Sequence, residues 1–169
     1  MLKKFKNIIL IGMPAVGKST IGVLLAKRLG WSFLDTDLII QVGESQKLQE
    51  IIDSRGMEKF CAMEERYVLS ISCKKHIIAT GGSVIYGKSA MEHLKSMGIV
   101  VHLDLAPQIL DERLKNLSSR GVVMAKGQNI GGLYKQRHPL YIRYADMTIG
   151  CNGLSMDEIV NQIERLCLG

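Results

Sequence analysis

The stretch Gly12-Met13-Pro14-Ala15-Val16-Gly17-Lys18-Ser19 fits the spacing G-x-x-x-x-G-K-[ST] without a mismatch. Its glycines let a backbone close around a phosphate, and successive amides at a helix N-terminus then point at the anion. A lysine so placed reaches the β and γ oxygens, and the following hydroxyl is a magnesium ligand. The expected nucleotide positions are Gly12, Ala15, Val16, Gly17, Lys18, Ser19 and Thr20, with ATP and Mg2+ as ligands; Lys18 is also a catalytic candidate and Ser19 a metal ligand. A glycine turn with an incidental lysine is the alternative, and the strand-like run before and helical run after speak against it.

Two carboxylates follow at Asp35-Thr36-Asp37. At the carboxyl end of a strand beside the phosphate loop, Asp35 is expected to hold the metal, directly or through water, and Asp37 to orient or deprotonate the attacking hydroxyl. Either could instead cap the next helix. Asp104, after the apolar run Val100-Val101-His102-Leu103, is a weaker metal candidate, because Leu105-Ala106-Pro107 is a natural helix entry where capping or loop hydrogen bonding explains it equally well. Thr80-Gly81-Gly82-Ser83 would let backbone N–H groups face a ligand, or would simply turn the chain.

Elements able to position these residues alternate along the chain. Strands are expected at Asn7–Ile11, Ser32–Leu34, His76–Ala79, Ile99–Leu103 and Met147–Ile149, and helices at Ser19–Leu29, Leu48–Ile52, Met57–Ser72, Lys88–Met97, Pro107–Leu117 and Ile130–Tyr144. Right-handed crossovers then imply an α/β fold, a parallel sheet covered on both faces. Ser155 and Glu158 form a capping-box signature for a last helix with Ile159, Val160, Ile163 and Leu166 facing inward. Gly121, Gly127, Gly131 and Gly132 break the pattern, so a mobile lid is expected at about 118–132.

At 169 residues, 47% hydrophobic and 22% charged, residues 1–169 read as a single domain with no second unit, repeat or spanning segment. The short apolar run Ile8–Ile11, followed by Gly12, Pro14 and Lys18, does not make a signal peptide. Four cysteines lack CxxC or zinc-finger spacing, so reduced thiols and a cytoplasmic location are expected. A net charge of +6 favours anionic partners. Without basic runs or interleaved aromatics, it does not favour nucleic acid. The expected chain is a monomer that binds a small-molecule hydroxy acid, and neither nucleic acid nor membrane.

The motif order resembles shikimate kinase, within the nucleoside-monophosphate-kinase-like group of P-loop proteins. The resemblance spans nearly the whole chain: Gly-Met-Pro-Ala-Val-Gly-Lys-Ser-Thr-Ile-Gly at 12–22, Leu-Asp-Thr-Asp at 34–37, Gly56 to Phe60 with Glu64-Glu65, Ala-Thr-Gly-Gly at 79–82, and Arg-His-Pro-Leu-Tyr with Ala-Asp at 137–146. It implies a three-layer fold with a five-stranded parallel sheet of order 2-3-1-4-5, a lid, and phosphorylation of the shikimate 3-hydroxyl by MgATP in aromatic amino acid biosynthesis. By position it also implies that Asp37 holds shikimate hydroxyls, Gly82 touches the acid through its backbone, and Arg137 pairs with its carboxylate. Arg120 would be the lid arginine that meets the transferring phosphate, with Arg113 and the loop around Asn152 flanking the adenine.

Several positions depart from the family pattern. Cys61 stands where the family has a second carboxylate-binding arginine, which leaves Glu64 without its expected partner. Ser83 replaces a third glycine, and the lid reads Arg120-Gly121-Val122-Val123 rather than Arg-Pro-Leu. Arg55, Lys59 and Arg66 could replace the missing cation, though a solvated surface role is the default for each. Because the departures fall on the acceptor side, two further readings stand beside a shikimate-type kinase: a kinase for another small hydroxy compound, and a non-catalytic nucleotide-binding regulator.

Overall fold

The computed structural model describes residues 6–116 and 127–168. Its centre is β1 (Asn7–Gly12), whose side chains are all buried. Such a run cannot alternate polar and apolar faces, and it finds cover only inside a parallel sheet with helices on both sides. Around it lie β2 (Ser32–Asp35), β3 (His76–Ala79), β4 (Ile99–Asp104) and β5 (Met147–Gly150), in the order β2-β3-β1-β4-β5 with every pairing parallel. This is the order that the resemblance implies.

Asn7, fully buried, aligns the lower ends of the sheet. Its amide nitrogen donates to the carbonyls of Cys73 (2.9 Å) and Met97 (3.1 Å), and its oxygen accepts from the His76 N–H (3.0 Å). A buried amide with every one of these groups matched sets register at little desolvation cost.

The helices are α1 (Lys18–Leu29), α2 (Thr36–Glu44), α3 (Leu48–Arg55), α4 (Met57–Leu69), α5 (Lys88–Met97), α6 (Pro107–Lys115), α7 (Ile130–Tyr144) and α8 (Met156–Leu168), with a 3-10 turn at Val84–Tyr86. Helix α2 is an addition to the expected set: Asp35 caps it, accepting from the N–H of Asp37 (2.9 Å) and Leu38 (3.4 Å). Helix α4 stops at Leu69 rather than Ser72, and Ser70 caps it through its hydroxyl on the Tyr67 carbonyl (2.6 Å). The capping box of α8 forms as expected, with Ser155 N–H on Glu158 Oε2 (2.7 Å) and Glu158 N–H on Ser155 Oγ (3.2 Å). Leu166, however, is 52% exposed. The buried stripe Ile159, Ile163, Cys167 follows four-residue steps, and Leu166 falls off it.

The main apolar core surrounds the sheet, and a second cluster of Ile40, Leu48, Ile51, Phe60 and Met63 joins α2, α3 and α4. Of the expected lid, residues 118–126 lie outside those described, while Ile130 to Gly132 form the first turn of α7, capped by Asn129 Oδ1 on the Gly132 N–H (2.8 Å). Asparagine there outweighs the paired glycines as a helix signal. Among the described residues, no helix is long and apolar enough to cross a membrane.

Candidate active site

The phosphate loop leaves β1 at Gly12, where φ is 150° and an added Cβ would lie 2.5 Å from the Leu103 carbonyl oxygen. Ala15 (φ 66°) and Gly17 (φ 107°) are also left-handed. This curl brings the chain into α1 with no side-chain cap and no acidic residue in the first turn. Its leading amides remain donors for an anion, and the helix dipole favours one there. Lys18, 8% exposed, crosses the loop so that Nζ donates to the carbonyls of Gly12 and Met13, both at 2.8 Å.

Ser19 Oγ donates to Asp35 Oδ2 at 2.6 Å, while Asp35 Oδ1 serves the start of α2. Asp35 therefore caps α2 with one oxygen and meets the Ser19 hydroxyl with the other. A hydroxyl and a carboxylate side by side at a phosphate site are the hard oxygen donors that Mg2+ takes alongside phosphate oxygens and water. Asp104, by contrast, turns away from the helix entry: its oxygens meet the Tyr134 hydroxyl (2.9 Å) and His138 Nε2 (3.6 Å), and the Ala106 N–H that it might have capped goes to Asn152 Oδ1 (2.8 Å).

A cavity of about 600 Å³ opens beside the loop, lined by Lys18, Ser19, Asp35, Asp37, Gly82 and Arg137 among others. That volume suits a small molecule. Each residue of the Thr80–Ser83 turn that forms its floor is tied to a different element. Thr80 Oγ1 donates to the Leu10 carbonyl (2.9 Å), the Gly81 N–H to Thr36 Oγ1 (3.1 Å), Tyr141 to the Gly82 carbonyl (2.5 Å) and Ser83 to Glu64 Oε2 (2.5 Å). A side chain at Gly82 would stand 2.9 Å from Arg137 Nη1 and 3.0 Å from Pro14, so glycine is what lets Arg137 and the loop close on each other.

Arg137 is buried, with Nε donating to the Tyr86 hydroxyl (3.2 Å). Cys61 lies behind it in a separate cavity of about 330 Å³ with Tyr86 and Leu133, and burial pushes its thiol up to about 11. It therefore brings no charge to the acceptor. Arg55 and Arg66 both pair with Glu44 (2.9 and 3.5 Å), and Lys59 is exposed on α4, so none of the three takes over from an arginine at position 61. Among the described residues the cations that line the main cavity are Lys18, Lys47 and Arg137. Glu64 has a partner after all, the hydroxyl of Ser83, itself one of the departures from the family pattern.

On the other side of the loop, Arg113 donates to the carbonyls of Ala15 and Val16 (3.2 Å each). Arg113, on α6, thus lies against the phosphate loop, while Asn152, just beyond β5, accepts from the Ala106 N–H at the entry to α6. Arg120 lies outside the described residues. Tyr141, Thr36 and the Glu64–Ser83 pair were not picked out as site residues by sequence spacing. The one available signal was the i, i+4 relation between Arg137 and Tyr141, which places both on one face of α7.

Fold and site together define a P-loop kinase: phosphate loop, acidic pair and acceptor cavity share the carboxyl edge of a 2-3-1-4-5 sheet. A family model described as shikimate kinase matches residues 14–167. A shikimate kinase from Thermodesulfovibrio yellowstonii is 35% identical over 171 residues, covering 97% of this chain and 98% of its own. One from Actinobacillus succinogenes is 36% identical, covering 94% and 93%. Among solved structures, shikimate kinase from Acinetobacter baumannii in complex with shikimate superposes with a TM-score of 0.87 at 30% identity, covering 97% of this chain and 93% of that one. The chain belongs to the shikimate kinase family, whose members are ATP-dependent kinases that phosphorylate a hydroxyl.

Proposed function

We propose that this chain transfers the γ-phosphoryl group of ATP to the 3-hydroxyl of shikimate, giving shikimate 3-phosphate. Beyond the family, the observation that carries the reading is a shared wall: Asp37, Gly82 and Arg137 border the same cavity as Lys18 and Ser19. Acceptor groups and phosphate groups thus face one volume, as in-line transfer requires.

In this reading Lys18 and the α1 amides stabilise the charge that spreads over the transferring phosphoryl oxygens. Asp37 aligns the acceptor hydroxyl and takes its proton, and Arg137 holds the carboxylate against the Gly82 backbone. Ser19 and Asp35 would hold Mg2+, which would supply positive charge to offset the negative charge of the phosphates. Arg113 and Asn152 flank the adenine, and Arg120, which lies outside the described residues, would meet the transferring phosphate. The reading includes a single-domain monomer acting in aromatic amino acid biosynthesis in the cytoplasm, a reducing compartment that suits four free thiols.

Cys61 supports a second reading, a kinase for a different small hydroxy compound. ADP release coupled to NADH oxidation, run with shikimate and a panel of hydroxy acids and polyols, separates the two. Turnover with shikimate at a KM below those of the other acceptors is expected; turnover only with another compound selects the second reading. Failure with every acceptor, despite ATP binding in calorimetry with magnesium, leaves the non-catalytic regulator.

A further inference from the structure

Glu64 faces inward from α4 and is 1% exposed. Oε2 accepts from Ser83 Oγ at 2.5 Å, whereas Oε1 is buried with no hydrogen-bond partner among the described residues. Oε1 lies against Gly81, where an added Cβ would collide with it and would also stand 2.8 Å from Asp37 Oδ1. The idle oxygen and the carboxylate assigned to the acceptor hydroxyl therefore flank the same glycine.

An ionised carboxylate so deeply buried is costly unless a cation is bonded to it. The charged and titratable groups facing Glu64 are Asp37 from α2, Lys18 from α1, Arg137 and Tyr141 from α7, and Cys61 on its own helix. Burial, reinforced by Asp37 and opposed by the Ser83 hydrogen bond and by Arg137 and Lys18, pushes the Glu64 carboxyl up to about 8. Cys61 and Tyr141 are raised by burial too and keep their protons there.

We propose that Glu64 and Ser83 form a positioning pair for the acceptor: with Glu64 held as the neutral acid, the pair fixes the Gly81–Ser83 turn and leaves the charge of Arg137 to the acceptor carboxylate. Ionisation of Glu64 would place a second negative charge beside Asp37 and draw Arg137 inward, away from its ligand. Acceptor binding is then linked to the proton on Glu64, while nucleotide binding, on the other side of Lys18, is not. The kinetic consequence rests on the shikimate reading; the state of Glu64 does not.

The test measures shikimate and ATP KM from about pH 6 to 9.5 for the parent, Glu64→Gln and Ser83→Ala. In the parent, shikimate KM is expected to climb above about pH 8, by up to ~10-fold per pH unit, with ATP KM level. Glu64→Gln, which keeps an oxygen for Ser83 but cannot ionise, is expected to lose that climb. Ser83→Ala is expected to raise shikimate KM several-fold near neutral pH without raising ATP KM. An unchanged alkaline climb in Glu64→Gln, or unchanged shikimate KM in Ser83→Ala, overturns the proposal. Infrared difference spectra between parent and Glu64→Gln provide a readout that needs no turnover or serine variant. A carboxylic-acid carbonyl band at pH 7 that fades above pH 8 supports the pair, and its absence at pH 7 overturns it. A protein inert toward shikimate but showing the band would fail only the substrate reading.

Discussion

Tyr141 donates its hydroxyl to the carbonyl of Gly82 at 2.5 Å, one helical turn beyond Arg137, whose guanidinium stands against the same glycine. Tyr141 is itself fixed by His102 of β4, stacked on it at 5.1 Å between ring centroids. Burial pulls His102 down to about 4, so that it is a neutral ring at physiological pH. Helix α7 thereby delivers both the guanidinium proposed to meet the acceptor and the clamp on the turn beside it.

Tyr141→Phe should accordingly cost ~1–3 kcal/mol of stability, since the buried Gly82 carbonyl loses its donor. It should also raise shikimate KM several-fold with ATP KM little changed. Urea denaturation and steady-state kinetics check both, and an unaltered shikimate KM would show that the turn holds its shape without the clamp.

The two oxygens of Asp35 can be separated by substitution. Asp35→Asn retains a capping oxygen for α2 but loses the charge proposed for magnesium, so its fold should be nearly as stable as the parent while half-maximal activity needs more Mg2+. Asp35→Ala should show the same magnesium requirement and lose a further ~1 kcal/mol of stability. An identical magnesium titration for parent and Asp35→Asn would remove Asp35 from the metal site.

Cys61→Arg should place a guanidinium between Glu64 and the acceptor side of Arg137. One added charge-assisted contact to a carboxylate is worth ~1.5–3 kcal/mol, so shikimate KM should fall by roughly 10-fold to 150-fold. No improvement in kcat/KM for shikimate would favour an acceptor of other chemistry.

Glu64 also makes stability depend on pH. Its folded value of about 8 lies above the ordinary 4.5, so between these values the native state keeps a proton that the unfolded chain has released. Stability is therefore greatest below about pH 4.5 as far as this group is concerned, falls as pH rises toward 8 and levels off above it. Glu64→Gln should flatten that slope and gain up to ~3 kcal/mol at pH 7, read as Tm against pH in parallel with the parent. A slope identical in both proteins would mean that another group supplies it.

Residues 12–19, the five strands and the α8 capping box were legible in the sequence because each depends on local physics. Glycine permits a left-handed backbone, an unbroken apolar run demands burial on both faces, and a serine caps a helix three residues from a glutamate. Helix α2 was harder to read, since Asp35-Thr36-Asp37 serves at once as strand end, cap and site, and Val42, 78% exposed, blurs its apolar stripe. The resemblance supplied the roles of Gly82 and Arg137, which spacing alone could not.

Pairings across long stretches of chain were decided only in three dimensions. Ser83 answers Glu64 from 19 residues away, Tyr141 reaches Gly82 across 59, and Arg113 reaches the carbonyls of Ala15 and Val16 across 98 and 97. A hydroxyl or guanidinium has no periodicity that announces its partner; sheet order and helix placement choose it. The sequence by itself determined that a phosphate-binding loop stands at the edge of a parallel sheet, because backbone sterics and apolar burial act over a few residues. Only the tertiary structure decided that a buried acid would be met by a serine rather than a cation, because that depends on which elements the packing brings together.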